Sequence, residues 1–313
     1  MSGSIGVGVG IGLPAGIAVF ERGWLSSNNI LFTGDGPATL VDSGYATHAP
    51  QTVALVRHAL GDQPLQRLVN THLHSDHCGG NAALQQAYGP ALQTTIPAAE
   101  AQAVRAWDQQ ALTFSATGQH CDRFGFDDTL QPGDTLMLAG ASWQALAAPG
   151  HDPHSLLLYC AAHRLLISAD ALWQNGFGVI FPELQGESGF AEAQATLELI
   201  ASLDVALVIP GHGAPFTDVR AALDTAFARL AWLAADPRRN AENAVKVLLK
   251  FILLERQRIA LDALPALLDG ARLFGIANQR FFHGTQQELA DWIVARLVRA
   301  GAARIDNGIL VDL

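Results

Sequence analysis

The chain of 313 residues is half apolar and 15% charged, with a mean hydropathy of +0.20. This composition excludes intrinsic disorder for most of the chain, and the length fits one large domain or a large domain with a small one. The 19 Lys and Arg residues against 29 Asp and Glu residues give a formal net charge of −10, which argues against a surface that wraps a polyanion. The charge is uneven, because residues 1–235 hold 8 basic and 20 acidic side chains whereas residues 236–313 hold 11 and 9.

The first twenty residues carry no charged side chain and are rich in glycine. Glycine disfavours a helix and a basic n-region is missing, so we predict neither a signal peptide nor a membrane segment. No Gly-x-Gly-x-x-Gly register fits, which leaves a flexible lead-in to a first strand. The cysteines Cys78, Cys121 and Cys160 form no short-spaced pair, and this usage predicts a cytoplasmic protein without disulfides.

Short apolar runs and turn residues then alternate with helical patterns. The pattern predicts strands at 17–20, 30–32, 39–41, 65–70 and 92–96, and helices at 52–60 and 82–88. Such alternation predicts a layered α/β fold with helices on the faces of the sheets. Residues 98–130 do not fit it, and we interpret them as a helical cover or a loop over a pocket. Their aromatic residues would line that pocket or simply pack.

A second block of strands follows. It is predicted at 135–138, 143–147, 155–159, 165–168 and 205–209, with helices at 190–202 and 217–234. The chain therefore divides into two strand-rich halves, each flanked by helices.

The tail is predicted to be a separate small domain. Ala235-Asp236-Pro237 breaks the helical pattern, so we divide the chain into domains at 1–235 and 236–313. An amphipathic helix follows near 245–253, Thr285 and Glu288 form a capping box, and Asn307-Gly308 signals a terminal hairpin. Helices followed by a hairpin have the outline of a winged-helix domain.

The segment His72-Leu73-His74-Ser75-Asp76-His77 directly follows a predicted buried strand. Residues two apart in an extended segment point the same way, so His72 and His74 can bind one cation. A turn at Ser75 would direct Asp76 and His77 to a second position nearby. Neutral imidazoles and a carboxylate suit Zn²⁺ and similar cations.

Three later strands end in residues of the same chemical types. His151, Asp170 and His212 each follow a predicted strand, and Asp42 follows an earlier one. Because strand ends gather along one edge of a layered α/β protein, we expect these side chains to converge on the histidine segment.

The order of these motifs, with Gly79-Gly80 after the second, resembles the five-motif signature of the metallo-β-lactamase superfamily over roughly residues 15–215. The resemblance implies an αβ/βα sandwich with two metal ions at one edge of the sheets. It implies that His72, His74 and His151 bind the first ion, that Asp76, His77 and His212 bind the second, and that Asp170 bridges them. Asp42 would orient the ligand segment by hydrogen bonding.

The residues at positions 170 and 74 argue against two branches of the superfamily. True β-lactamases usually replace the bridging aspartate, so the retained Asp170 argues against antibiotic hydrolysis. The flavodiiron branch places a glutamate where this chain has His74. Glyoxalase-II-type thioesterases share all the metal residues, although their basic and aromatic glutathione-binding residues find no match here.

These features predict a dinuclear metal-dependent hydrolase for a small-molecule thioester, lactone or other ester. Two divalent cations, zinc first and manganese or iron as alternatives, would generate metal-bound hydroxide at neutral pH, with Asp76 and Asp170 as the catalytic carboxylates. An endoribonuclease or phosphodiesterase is the second hypothesis, because the tail resembles that of a branch that contains mitochondrial endoribonucleases and some polyketide thioesterases. A mononuclear iron dioxygenase of the persulfide type is the third.

The remaining candidates are weaker. His154 would bind substrate or donate a proton to the leaving group, or it is a histidine at a turn. Trp173, Asn175 and Phe177 follow Asp170 closely and are predicted to line a pocket, and Cys78 is predicted to be a buried filler. A small molecule is the expected partner; a membrane is not expected, nucleic acid is disfavoured by the acidic first domain, and homo-oligomerisation stays open.

Overall fold

The computed structural model describes residues 12–313. Residues 1–11 of the predicted lead-in lie outside the described residues. No helix among the described residues is long and apolar enough to cross a membrane.

The first sheet has six strands that follow one another in chain order: β1 (Ile17–Phe20), β2 (Asn29–Phe32), β3 (Thr39–Val41), β4 (Arg67–Val69), β5 (Gln93–Pro97) and β6 (Asp128–Leu130). The first three strands pair antiparallel, and β3 to β6 run parallel. Five helices accompany this sheet: α1 (Ala49–Leu60), α2 (Ser75–Cys78), α3 (Asn81–Tyr88), α4 (Ala101–Ala106) and α5 (Phe114–Thr117). Val56 of α1 and Leu84 of α3 pack on its outer face.

The second sheet has five strands: β7 (Thr135–Leu138), β8 (Ala141–Ala147), β9 (Leu156–Cys160), β10 (Leu165–Ala169) and β11 (Leu207–Pro210). Their order is β11-β10-β9-β8-β7, and β10 and β11 are its parallel pair. Three more helices follow the chain here: α6 (Pro182–Gln185), α7 (Phe190–Ser202) and α8 (Val219–Ala234). Leu197 of α7 and Leu230 of α8 pack on its outer face.

The main core lies between the two sheets. Alternate residues of β8 point inward, so that Trp143 and Ala145 are fully buried. Trp143 packs edge-on against Phe32 of the first sheet, with ring centroids 5.2 Å apart. Burial on both faces explains the apolar runs that the sequence shows. The order of layers is helix, sheet, sheet, helix, which confirms the predicted αβ/βα sandwich.

The tail consists of α9 (Pro237–Arg256), β12 (Arg258–Ala260), α10 (Leu264–Gly270), α11 (Arg272–Ala277), α12 (Gln286–Arg299), β13 (Ala303–Asp306) and β14 (Ile309–Asp312). The capping box is present, and the hairpin turns at Asn307 and Gly308, which both have positive φ. The outline agrees with the predicted helical tail, whereas its assignment as a winged helix stays a prediction. A single-turn π-helix, Asn278–Phe282, lies between α11 and α12.

The predicted domain boundary coincides with a helix break. Helix α8 ends at Ala234, and Asp236 caps α9 by accepting a hydrogen bond from the backbone of Arg238. The tail nevertheless packs closely on the first part, because Asn240 of α9 donates to the carbonyl of Ile180 and Phe251 packs on Tyr45. The division at 235 therefore stays a prediction.

Residues 98–130 are mixed in structure. They form α4 and α5 and end in β6, a strand that the sequence pattern did not predict. Strand β6 has only three residues and owes its place to pairing with β5. Trp107 packs against Phe114 and Phe124. Of the two roles considered for these aromatic residues, pocket lining or packing, these three have the packing role.

Candidate metal centre

Three histidines converge at the edge of the sandwich, and we call them the three-histidine group: His72, His74 and His151. The first two lie in the extended segment between β4 and α2, and His151 lies in the loop after β8. Nδ1 of His74 is 3.2 Å from Nε2 of His72 and 2.8 Å from Nε2 of His151. Three ring nitrogens thus face a common point.

Four further side chains, the mixed group, lie beside them: Asp76, His77, Asp170 and His212. The single-turn helix α2 presents the first two, while Asp170 follows β10 and His212 follows β11. Their ligand atoms all lie within 4.8 Å of one another. Because β10 and β11 are parallel, their carboxyl ends meet at one edge of the sheet.

Asp170 lies between the two groups. Its Oδ1 is 3.4 Å from Nε2 of His77, and its Oδ2 is 3.4 Å from Nε2 of His151. One carboxylate therefore contacts both sets of side chains, as a bridging ligand must.

The electrostatics of the site suit a cation. Burial and the neighbouring imidazoles lower the pKa of His72 well below its usual value, and the pKa of His151 to about 4, which leaves their nitrogens neutral. Burial also opposes charge on His77, but Asp170, Asp42 and Asp76 outweigh it and raise the pKa of His77. Nε2 of His77 is buried and makes no hydrogen bond within the described chain. A buried donor atom facing carboxylates without a partner is the position that a divalent cation fills.

Asp42 has the positioning contacts that the family resemblance implies. Its carboxylate accepts hydrogen bonds from the backbone and hydroxyl of Thr71, at 2.9 and 2.8 Å, and from Nδ1 of His77 at 2.8 Å. It belongs to neither ligand group. Because Nδ1 of His77 donates to Asp42, Nε2 is the nitrogen that remains to face the site.

Glycines allow the close backbone packing that the site needs. A Cβ at Gly80 would collide with the carbonyl of Ser43, and a Cβ at Gly211 would collide with Oδ1 of Asp170. Gly80 is the second glycine of the Gly79-Gly80 pair, so this pair allows the backbone to pack tightly beside the ligand segment.

Asp152 and Glu100 are acidic neighbours that the sequence reasoning missed. Oδ2 of Asp152 lies 3.5 Å from Nε2 of His74, on the side of the ring opposite the other histidines. Glu100 is also buried, and burial together with the charge of Asp152 raises its pKa well above the usual value. Asp152 directly follows His151 in the sequence, and this adjacency could have pointed to it. No sequence motif pointed to Glu100.

A cavity of about 160 Å³ opens onto both ligand groups. Trp173 and Phe177 line it as predicted, whereas Asn175 is exposed and lies outside the lining. Nε1 of Trp173 donates to Oδ1 of Asp170 at 3.2 Å. Trp24, which the sequence did not single out, stacks on His212 with ring centroids 5.5 Å apart.

A second cavity of about 240 Å³ adjoins the first at His74, His151 and Phe181. Glu100, Asp152 and His154 line it. The side chain of His154 is exposed and lies outside both ligand groups, and its backbone amide donates to Asp152. Cys78 is buried, and its Sγ lies 3.9 Å from Sγ of Cys121, so it has the filler position that was predicted.

The fold and the two ligand groups are those of a protein with a metal site between two sheets, and a comparison with family models identifies the family. Residues 22–212 match the model of the metallo-beta-lactamase superfamily, and the chain belongs to that superfamily. Its His and Asp groups fit a divalent metal site. The match begins just after β1 and stops at His212, the last of the predicted ligands.

Curated relatives are distant. The lactamase-like protein vrtG of Penicillium aethiopicum is 27% identical over 194 residues, which cover 61% of this chain and 52% of vrtG. A hydroxyacylglutathione hydrolase of Ectopseudomonas mendocina is 31% identical over 142 residues, 45% of each chain. This chain thus spans about half the length of these relatives.

Solved structures share the fold over nearly the whole chain. A metallo-beta-lactamase family protein from Thermus thermophilus covers 96% of this chain and 99% of its own, with a TM-score of 0.53 and 20% identity. A beta-lactamase domain protein from Burkholderia ambifaria covers 96% and 93%, with a TM-score of 0.56 and 20% identity. At this identity the likeness establishes the fold, tail included, and no more.

Proposed function

We propose that this protein is a dinuclear metal-dependent hydrolase of a small-molecule thioester, lactone or other ester. One observation carries the proposal: Asp170 contacts both ligand groups, and both groups open onto a largely apolar cavity. The three-histidine group would hold one cation and the mixed group the other. Zinc is the first choice for these ligands, with manganese or iron as alternatives.

The chain's own residues have distinct tasks in this proposal. Bound divalent cations would supply hydroxide at neutral pH and an electrophile for the carbonyl oxygen. Asp42 holds His77 with Nε2 toward the site by a hydrogen bond, and the carboxylate of Asp152 lies 3.5 Å from Nε2 of His74. Trp173 fixes Asp170 through its indole N–H, and Trp24 covers His212. These contacts position the site before substrate arrives.

His154 keeps its proposed role at the leaving group. It lines the second cavity, next to His74 and His151, with an exposed side chain. A leaving group in this cavity would lie within reach of His154, and an imidazole can donate a proton to a leaving group. The apolar first cavity would then hold the acyl part.

The cavities favour a small molecule over the two alternatives. RNA needs a basic groove with stacking aromatics, but Arg229 is the sole Lys or Arg of the described residues that line the first cavity. A mononuclear iron dioxygenase uses one ligand group, whereas this chain brings two together. We also propose a cytoplasmic location, which the three free cysteines support.

Parallel assays of metal-loaded protein test the proposal. Thioester, lactone, phosphodiester, β-lactam and single-stranded RNA panels are compared with oxygen uptake on a persulfide, and bound metal is measured beside them. We expect thioester, lactone or ester turnover with two metal ions per chain. RNA cleavage alone, or one iron with oxygen uptake, would contradict the proposal.

A matched pair of variants sharpens this test. We expect His74→Ala to lose one metal ion and at least about 100-fold in rate, because an inner ligand and the geometry it fixes disappear. His163→Ala is the control, since His163 is exposed and belongs to neither ligand group. Unchanged metal content and rate in His74→Ala would refute the role of the three-histidine group.

A further inference from the structure

Arg229 on α8 is a half-buried cation whose guanidinium reaches the first cavity. It makes no hydrogen bond or ion pair within residues 12–313, and burial lowers its pKa without any opposing partner. A guanidinium offers five N–H donors in a planar fork, and those of Arg229 are open to the cavity and to any ligand that enters it. Arg229 therefore presents donors at the cavity that no group of the described chain uses.

The loop after Asp170 packs against this guanidinium through Gly176 and Phe177, and we call these two residues the seat of Arg229. Gly176 has a φ of +133°, and a Cβ there would lie 2.6 Å from Nη1 of Arg229. The next residue, Phe177, places its ring 5.1 Å from Cζ of the arginine. The absence of a side chain at Gly176 thus leaves room for the guanidinium, which lies over the ring of Phe177.

The same loop ties this seat to the metal centre. Trp173 pairs with Gly176 through their backbones, and its indole donates to Asp170. The loop therefore carries a proposed bridging ligand at one end and the seat of Arg229 at the other, both facing one cavity. A substrate held by Arg229 would be fixed relative to the ligand groups.

We propose that Arg229 binds a carboxylate at the far end of the acyl part of the substrate, so that the enzyme prefers acyl groups that carry a second, anionic terminus. The inference rests on the proposed function. The remaining walls of the cavity are largely apolar, including Phe181, Val247 and Phe251. One guanidinium balances a singly charged carboxylate better than a phosphate dianion, and its fork matches a carboxylate in two hydrogen bonds.

Binding measurements test this inference without turnover. We would titrate 4-phenylbutyrate and 4-phenylbutanamide into wild type and Arg229→Met, with metal loaded and after chelation, and follow the fluorescence of Trp24 and Trp173. Loss of a charge-assisted pair should weaken phenylbutyrate binding by about 10- to 100-fold and leave the amide unchanged. Arg229→Lys should retain part of the affinity. Equal binding of the acid by wild type and Arg229→Met would overturn the inference.

Turnover supplies a second readout. Adipoyl and hexanoyl thioesters of N-acetylcysteamine share a neutral leaving group and differ at the acyl terminus alone. We expect wild type to prefer the adipoyl substrate by at least about tenfold in kcat/KM, mainly through KM, and Arg229→Met to lose that preference. If wild type had equal kcat/KM for the adipoyl and hexanoyl substrates, this would contradict the proposed binding of a carboxylate by Arg229. Hydrolysis of neither, with selective acid binding intact, would refute the thioesterase proposal while leaving the anion site standing.

The control is Arg239→Met. Arg239 also lies over an aromatic ring, 4.7 Å from the centroid of Trp232, but it is outside the cavity lining. It should match wild type in both measurements. An equal loss in Arg239→Met would show a general effect of surface charge and overturn the assignment to Arg229.

Discussion

Replacement of Asp42 by asparagine tests how the chain positions a metal ligand without touching the metal. Asparagine keeps the shape and an acceptor oxygen for the backbone amide of Thr71, which donates to Oδ1 at 2.9 Å. The other oxygen becomes an NH₂ group that faces Nδ1 of His77, 2.8 Å away in the wild type. Two donors then oppose each other, so the imidazole must turn or exchange its proton to Nε2. In either case Nε2 no longer presents a lone pair to the site.

The expected loss of metal affinity follows from the hydrogen bond between His77 and Asp42 that the substitution removes. One charge-assisted hydrogen bond at a site that is 2% exposed contributes about 1.5–3 kcal/mol. We therefore expect Asp42→Asn to weaken metal binding by about 10- to 100-fold. The affinity is measured by competition with a coloured chelator, and the folded state is checked by thermal unfolding.

Asp127→Asn is the matched control. Asp127 also accepts a backbone hydrogen bond, from Thr94 at 2.8 Å, but it lies at the other end of the first sheet's parallel strands. Metal affinity should be unchanged there. Wild-type metal affinity in Asp42→Asn would refute the idea that this carboxylate fixes the tautomer of His77.

Three further substitutions have definite expected outcomes. Gly211→Ala should lower the metal content by at least about half, because its Cβ would displace Oδ1 of Asp170, and normal content by elemental analysis would contradict this. Trp173→Phe should reduce kcat by about 3- to 10-fold with bound metal retained, since it removes one hydrogen bond to Asp170 and keeps the ring. Thr285→Ala should cost about 1 kcal/mol in denaturant unfolding, because its hydroxyl caps the backbone amide of Glu288 at 3.2 Å; an unchanged midpoint would show that the cap contributes nothing.

The metal centre was predictable because its signals are local. The short segment after β4 supplies four of the proposed ligands, and the rest follow strand ends, which the layered fold brings to one edge. The structure places all seven predicted residues in two groups, as the family resemblance implied. Their roles as ligands stay a proposal until metal is measured.

The substrate cavity was much less predictable, because its walls come from distant parts of the chain. Trp24 precedes β2, Arg229 lies on α8 and Phe251 lies on α9, and each is a single residue without a motif. Trp173 and Phe177 could be predicted because they follow Asp170 closely. Strand β6 was missed for a similar reason, since three residues acquire strand structure only through their neighbour β5.

The net charge of the whole chain does not describe the charge at the site. The formal −10 counts Asp76 and Asp170, but these carboxylates face histidines and the proposed cations rather than solvent. Two divalent cations with a hydroxide would leave this site locally positive. An acidic protein can therefore bind an anionic substrate at its centre, with Arg229 as the further cation of the cavity.

The number of metal ions per chain tests the central claim most directly. Purified protein would be stripped, titrated with zinc by calorimetry and analysed for bound metal after gel filtration. Two ions per wild-type chain are expected, with one in His72→Ala, which keeps the mixed group intact. A single site in the wild type would contradict a dinuclear centre, and two sites that survive the loss of His72 would contradict metal binding by the three-histidine group.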